Sequence, residues 1–195
     1  MSRLKICGTT NLEDALFCDN LKVDFLGFIF HPKSKRFISP KAAKPILNAL
    51  KHSKAIGLFV DEPSETVINT AKDLGLWGVQ IYEDMIIPPQ QGIQSIRAYH
   101  VDEGFGTIST SAPFDYTLLD TPNPNQLGGT GQSFDWRLLP KDLSQTFLAG
   151  GINIGNIHEA LSYKPFAIDL VSGVEAAPGK KDFTKVKKIV EAVYG

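Results

Sequence analysis

A thiol, a carboxyl and a guanidinium stand in this chain where acid–base chemistry on an anionic substrate would need them. Cys7 closes an apolar run at residues 4–7, inside the tripeptide Ile6-Cys7-Gly8, and Asp120 closes another at residues 116–120. One group that takes a proton and one that gives it, each at the end of a strand-like segment, suit a reaction that moves a proton while a bond breaks. The segment His31-Pro32-Lys33-Ser34-Lys35-Arg36 adds an arginine able to hold a carboxylate through two parallel hydrogen bonds, with lysines that attract an anion. Two glycine-bearing turns, Ala149-Gly150-Gly151-Ile152-Asn153 and Ser172-Gly173-Val174-Glu175, let main-chain N–H groups approach a phosphate closely. Each feature also has a plainer reading: Cys7 as a small buried hydrophobe, Asp120-Thr121-Pro122 as the start of a turn, the basic loop as solvated surface. Their force comes from where the fold puts them.

Eight β-branched or aromatic runs, at residues 4–7, 25–30, 55–60, 77–82, 96–101, 116–120, 146–149 and 166–171, predict eight strands. Helical patterns lie between several of them. A Thr10-x-x-Glu13 capping box starts a first helix near Asn11, with Leu12, Ala15 and Leu16 following. Ser39-Pro40 reads as a cap with proline in the first turn, and Ala43, Ile46, Leu47 and Leu50 share a face; Pro45 is expected to bend this helix or end its first part. Val67, Ala71 and Leu74 recur at helical spacing, as do Ile154, Ile157 and Leu161. The clearest amphipathic pattern is Phe183, Val186, Ile189, Val190 and Val193.

Unalternated apolar strands separated by helices predict a parallel sheet covered on both faces, and eight units predict a compact, single-domain (β/α)8 barrel over residues 1–195. Its fourth and fifth helices are expected to be weak or shortened, because residues 83–94 hold Pro88-Pro89 and Gly92, and residues 102–113 are rich in Gly, Ser and Thr. A doubly wound open sheet is the structural alternative. In a closed parallel barrel all strand C-termini open on one face, so strands 1 and 6 bring Cys7 and Asp120 to the same mouth.

With 20 Lys+Arg against 21 Asp+Glu, the charge balance offers no basic excess for nucleic acid. No apolar stretch reaches the ~18 residues of a membrane span, and Met1-Ser2-Arg3-Leu4-Lys5 lacks the apolar core of a signal peptide, so a cytoplasmic setting is expected. In that setting Cys7 and Cys18 read as free thiols. The four histidines, His31, His52, His100 and His158, are dispersed without metal-ligand spacing and read as structural or exposed.

Six ordered blocks carry a resemblance: Lys5-Ile6-Cys7-Gly8-Thr9-Thr10; Phe30-x-x-x-Ser34-x-Arg36; Leu118-Leu119-Asp120-Thr121; Gly128-Gly129-Thr130-Gly131-x-x-Phe134-Asp135-Trp136; Gly150-Gly151-Ile152; and Ser172-Gly173-Val174-Glu175-x-x-Pro178-Gly179-Lys180-Lys181-Asp182. End to end, the chain resembles phosphoribosylanthranilate isomerase of tryptophan biosynthesis. The resemblance implies a (β/α)8 barrel with no metal or organic cofactor, a small phosphoribosyl substrate, and a monomer or homodimer. It implies an aldose–ketose isomerisation, the Amadori rearrangement of N-(5-phosphoribosyl)anthranilate to 1-(2-carboxyphenylamino)-1-deoxyribulose 5-phosphate. On it Cys7 is the general base, Asp120 the general acid and Arg36 the carboxylate ligand. Gln80 and Asp169 orient the substrate, and the backbone around Gly150, Gly151, Ser172 and Gly173 binds phosphate.

The chemistry implied makes demands on these groups. A free Asp, with a pKa near ~3.9, is protonated about once in a thousand at neutral pH, and a Cys near ~8.5 is only a few per cent thiolate. Burial of Asp120 acts in the needed direction, and Lys5 or Arg36 can favour the thiolate. The chain departs from the family's usual strand 4, Val-Gln-Leu-His-Gly, with Val79-Gln80-Ile81-Tyr82-Glu83, and has Val171 where a phosphate-loop serine is usual. Two other readings stay open: another phosphosugar isomerase on the same barrel, and a catalytically silent phosphosugar-binding module.

Overall fold

The computed structural model describes residues 1–82, 87–88, 90–101, 114–121 and 135–195. Eight strands, β1 (Arg3–Ile6), β2 (Phe25–Ile29), β3 (Lys54–Phe59), β4 (Gly78–Tyr82), β5 (Gln94–His100), β6 (Tyr116–Asp120), β7 (Thr146–Leu148) and β8 (Ala167–Leu170), close into a ring in chain order. Every pairing in the ring is parallel, β8 to β1 included. The closed barrel therefore replaces the open-sheet alternative. Helices α1 (Leu12–Asn20), α2 (Pro40–Ala49) and α3 (Ser64–Leu74) follow the first three strands, and α4 (Ile157–Ser162) follows β7. After β8 comes an antiparallel hairpin of β9 (Glu175–Ala177) and β10 (Lys180–Lys181), and then α5 (Phe183–Tyr194). Among the described residues no helix is long and apolar enough to cross a membrane.

Both faces of the strands are buried, which is why their sequences run apolar without alternation. Leu4, Ile6, Leu26, Phe28, Ile81 and Ile168 face outward onto the helices, against Ala15, Val67, Ala71, Ile157, Val186 and Ile189. The inward set includes Phe25, Ile56, Ile96, Leu118 and Phe147. At the strand N-termini an aromatic cluster closes the barrel: Phe25 lies against Trp77, Phe147 and Phe166 with ring centroids 4.7, 5.6 and 6.1 Å apart, and Tyr116 sits 4.5 Å from Phe166. The buried rings Phe25 and Phe147 each contribute about 1.5–3 kcal/mol by burial, and the half-buried Trp77, Tyr116 and Phe166 close over them, so this end is a plug. Polar interior groups collect at the other end.

Several local expectations are corrected. Asn11, not Thr10, caps α1: its side chain accepts from the Asp14 N–H at 2.8 Å, while the Thr10 hydroxyl donates to the Gly179 carbonyl and ties α1 to the hairpin. Ser39 caps α2 as expected, accepting from the Ala42 N–H. That helix runs through Pro45 to Ala49, because Pro45 and Lys41, whose carbonyl the missing N–H would have served, both lie on its exposed side. Ile154 lies outside α4 and is exposed; the six-residue helix starts after a turn held by the Asn156 side chain on the Asn153 N–H. The expected weakness of the fourth and fifth connections falls largely outside the described residues, apart from a turn at 90–93 closed by the Ile93 N–H on the Gln90 carbonyl.

Candidate active site

Side-chain alternation along β1 sends Leu4 and Ile6 to the helices and Lys5 and Cys7 into the barrel. Cys7 stands one residue beyond the strand, yet its N–H still donates to the Leu170 carbonyl at 2.9 Å, so β8 fixes its position. Gly27 of β2 faces it, and a Cβ there would lie 2.5 Å from Sγ. Gly8 then turns the chain at φ +76°, where a Cβ would stand 2.6 Å from Cδ of Arg36. Asp120 ends β6 opposite, with one carboxylate oxygen accepting from the Thr121 N–H at 2.8 Å. Cys7, Asp120, Arg36, Gln80 and Asp169 line one cleft of about 570 Å³, open mouth included. Gly150, Gly151, Ser172 and Gly173 line the same cleft.

A buried charged network forms its floor. Lys5 is wholly inaccessible, and its Nζ donates to Oδ2 of Asp169 and Oε1 of Gln80, both at 2.8 Å. Burial alone would lower the Lys5 pKa, but Asp169 and Cys7 outweigh it and raise it, so the ammonium is kept. Oδ1 of Asp169 is buried with no hydrogen-bond partner among the described residues, and Asp169 lines the cleft. Burial pushes the Cys7 thiol up; Lys5 and Lys181 pull it down, and Asp169 pushes it further up. Burial also raises Asp120, to about 6, against the Thr121 N–H and with help from Asp169. Tyr82 completes the floor, its ring stacked on His100 at 5.7 Å and its hydroxyl pushed well up by burial and by Asp120 and Cys7.

At the side of the cleft Arg36 is already paired. Its Nε donates to both oxygens of Glu175 at 2.9 and 3.0 Å, and Nη2 to Oε2 at 2.7 Å. Across the cleft the two glycine turns interlock. Gly150 and Gly151 have φ of +89° and +63°, the Asn153 and Asn156 side chains hold the Gly151 carbonyl at 2.9 and 3.1 Å, and any Cβ on Gly173 would overlap the Ile152 carbonyl. Ser172–Val174 forms a single 3₁₀ turn after β8.

Residues 4–192 match the family model for N-(5'-phosphoribosyl)anthranilate (PRA) isomerase. The chain belongs to that family. A PRA isomerase of Aquifex aeolicus is 36% identical over 200 residues, covering 98% of each chain. Among solved structures, the phosphoribosyl anthranilate isomerase of Thermus thermophilus superposes with a TM-score of 0.85 at 33% identity, covering 98% of each chain. Another family structure, solved with reduced 1-(o-carboxyphenylamino)-1-deoxyribulose 5-phosphate, gives 0.78 at 34% identity, again over 98% of each chain.

The cleft also involves residues that had little or no role in the sequence reading. Glu175 stands in a quoted motif without a role, although a buried arginine requires a carboxylate partner. Lys5, expected only to favour the thiolate, also bonds Asp169 and Gln80; a charge inside an unalternated strand is the signal for a side chain facing the barrel interior. Tyr82, noted only as a departure from the PRA isomerase pattern, is a wall of the cleft. Outside the cleft, His31 is buried, with Nδ1 3.1 Å from Oδ1 of Asp61 and 3.9 Å from Oε1 of Glu62, so it lies among carboxylates rather than alone. The block at 128–134 lies outside the described residues, as does Glu83.

Proposed function

We propose that the chain catalyses the Amadori rearrangement of N-(5-phosphoribosyl)anthranilate to 1-(2-carboxyphenylamino)-1-deoxyribulose 5-phosphate, with Cys7 and Asp120 as base and acid. The observation that carries this reading is that a thiol just beyond β1 and a carboxyl of raised pKa on β6 line one cleft with an arginine and two glycine turns. Asp120 gives its proton to the furanose ring oxygen, the bond from that oxygen to carbon 1 breaks, and an iminium forms between carbon 1 and the anthranilate nitrogen. Cys7, as thiolate, removes the proton from carbon 2; the electron pair neutralises the iminium, and the enolamine tautomerises to the ketone.

The other groups orient. Arg36 takes the anthranilate carboxylate, the N–H groups around Gly150, Gly151, Ser172 and Gly173 take the phosphate, and Gln80 and the open acceptor of Asp169 take sugar hydroxyls. With Asp120 at about 6, roughly a tenth of it is protonated at pH 7, against about one in a thousand for a free Asp. The reading uses side-chain acid and base only and carries no cofactor. It takes residues 1–195 as one catalytic domain, in the cytoplasm, as a monomer or homodimer.

Incubating purified protein with phosphoribosylanthranilate and following substrate loss and ketose formation tests this. No conversion above background at high enzyme concentration would sink it and leave a binding module.

A further inference from the structure

We propose that Glu175 is the positioning residue of the substrate-carboxylate clamp: it fixes the rotation of the Arg36 guanidinium, and Lys181 supplies the positive charge that remains to draw an anion. The proposal rests on the reading of this cleft as the phosphoribosylanthranilate site. Glu175 occupies the Nε and Nη2 edge of Arg36 with three contacts of 2.7–3.0 Å, while Nη1 has no partner among the described residues. Because the guanidinium is planar and rigid, fixing one edge fixes the direction of every other N–H. Arg36 lines the cleft, so the Nη1 side is what a ligand carboxylate meets.

Glu175 is itself held. Its Oε1 accepts from the Gly179 N–H and from Nζ of Lys181, both at 3.1 Å, and Nζ of Lys185 holds its carbonyl at 2.8 Å. The same Lys181 ammonium donates to the Cys7 carbonyl at 2.6 Å. The hairpin of β9 and β10 therefore ties the clamp to the residue that carries the base, which sets where the substrate carboxylate is held relative to Cys7. Charge counting gives Lys181 its second role. Arg36 and Glu175 alone are neutral, whereas two cations and one anion leave one positive charge for the substrate to neutralise.

The test uses full-length Glu175→Gln and Glu175→Asp with Arg36 intact. Two readouts are needed: kcat and KM for phosphoribosylanthranilate, and calorimetric affinity for reduced 1-(o-carboxyphenylamino)-1-deoxyribulose 5-phosphate against its counterpart lacking the carboxylate. Wild type should prefer the carboxylated ligand by roughly tenfold to a hundredfold, the worth of one charge-assisted hydrogen bond. Glu175→Gln leaves two cations unneutralised, but with the guanidinium no longer held in rotation it should still lose most of that preference, raise KM by the same factor and change kcat by less than about threefold, since uniform binding is what is lost. Glu175→Asp, a methylene shorter but still charged, should fall between, and it carries the comparison if the Gln variant does not fold. A folded variant that keeps the preference, or that weakens both ligands equally, overturns the proposal; so does a wild type with no preference. Should wild type bind but convert nothing, the isomerase reading fails while the ligand comparison still decides Glu175.

Discussion

Gly27 lies so close beneath the Cys7 thiol that a Cβ on it would stand 2.5 Å from Sγ and 3.0 Å from the Cys7 Cα. The thiol occupies space that any larger residue on β2 would take. Because Cα and Cβ of Cys7 would both stand at 3.0 Å, rotating the thiol relieves only part of the crowding, and the end of β1 must shift. Gly27→Ala should therefore destabilise the fold by about 1–3 kcal/mol and lower kcat roughly a hundredfold, a misplacement effect. Urea unfolding and turnover together check it. Activity within a fewfold of wild type would show that the thiol position is not set by this contact.

Asp120 sits at the end of β6 with its carboxyl raised to about 6. Cys7→Ala and Asp120→Asn should each lower kcat by roughly 10²–10⁴ without loss of fold. The Asn variant has a second consequence whose sign is fixed. The folded protein binds the Asp120 proton more tightly than the unfolded chain, so stability contributed by this group is lost as pH rises from about 4 to about 6. Asp120→Asn removes that loss and should stabilise the protein by roughly 1–3 kcal/mol at pH 8, the gain shrinking as pH falls to about 4. Denaturant melts at both pH values measure it.

Much of this architecture is readable in the sequence because strands buried on both faces announce themselves as short apolar runs, and their ends name the residues at the mouth. Cys7, Asp120 and the glycine turns follow from that alone. Pairings between distant segments do not. Nothing local to Arg36 tells that Glu175, 139 residues on, holds it, or that Lys5 crosses the barrel to Asp169, because closure of the ring creates those contacts. Thr10 shows the same limit on a small scale: its motif fits a capping box, but the hairpin competes for the hydroxyl and wins.

Lys5 and Asp169 form a fully buried ion pair with the Nζ–Oδ2 distance at 2.8 Å. Removing one charge strands the other, which costs more than the pair contributes. Lys5→Met should destabilise by about 3–5 kcal/mol, and Lys5→Met/Asp169→Leu should recover much of that. Activity should not return in the double variant, because Lys5 lowers the thiol pKa and Asp169 offers the open acceptor. Alkylation by a small haloacetamide reports the thiol directly. In both variants Cys7 should require higher pH to react, while Cys18, in the helix-facing core and pushed up to about 12, stays inert.

Cys7 and Asp120 together fix the pH profile of turnover. Catalysis as proposed needs Cys7 as thiolate and Asp120 as acid, but burial raises the thiol, and at pH 7 most Asp120 is ionised. The resting and reactive forms therefore hold the same single proton and differ only in which group carries it. Below about pH 6 a second proton binds and the base is lost; above the raised thiol pKa the proton leaves and the acid is lost. kcat/KM should trace a bell with its acid limb near 6 and its alkaline limb above the ordinary thiol range of ~8.5, both limbs belonging to the pair. In Asp120→Asn the residual rate should follow the thiolate alone, so the limb near 6 disappears and activity climbs only through the thiol pKa. An acid limb that stays near 6 in that variant assigns it to another group and removes Asp120 from the proton inventory.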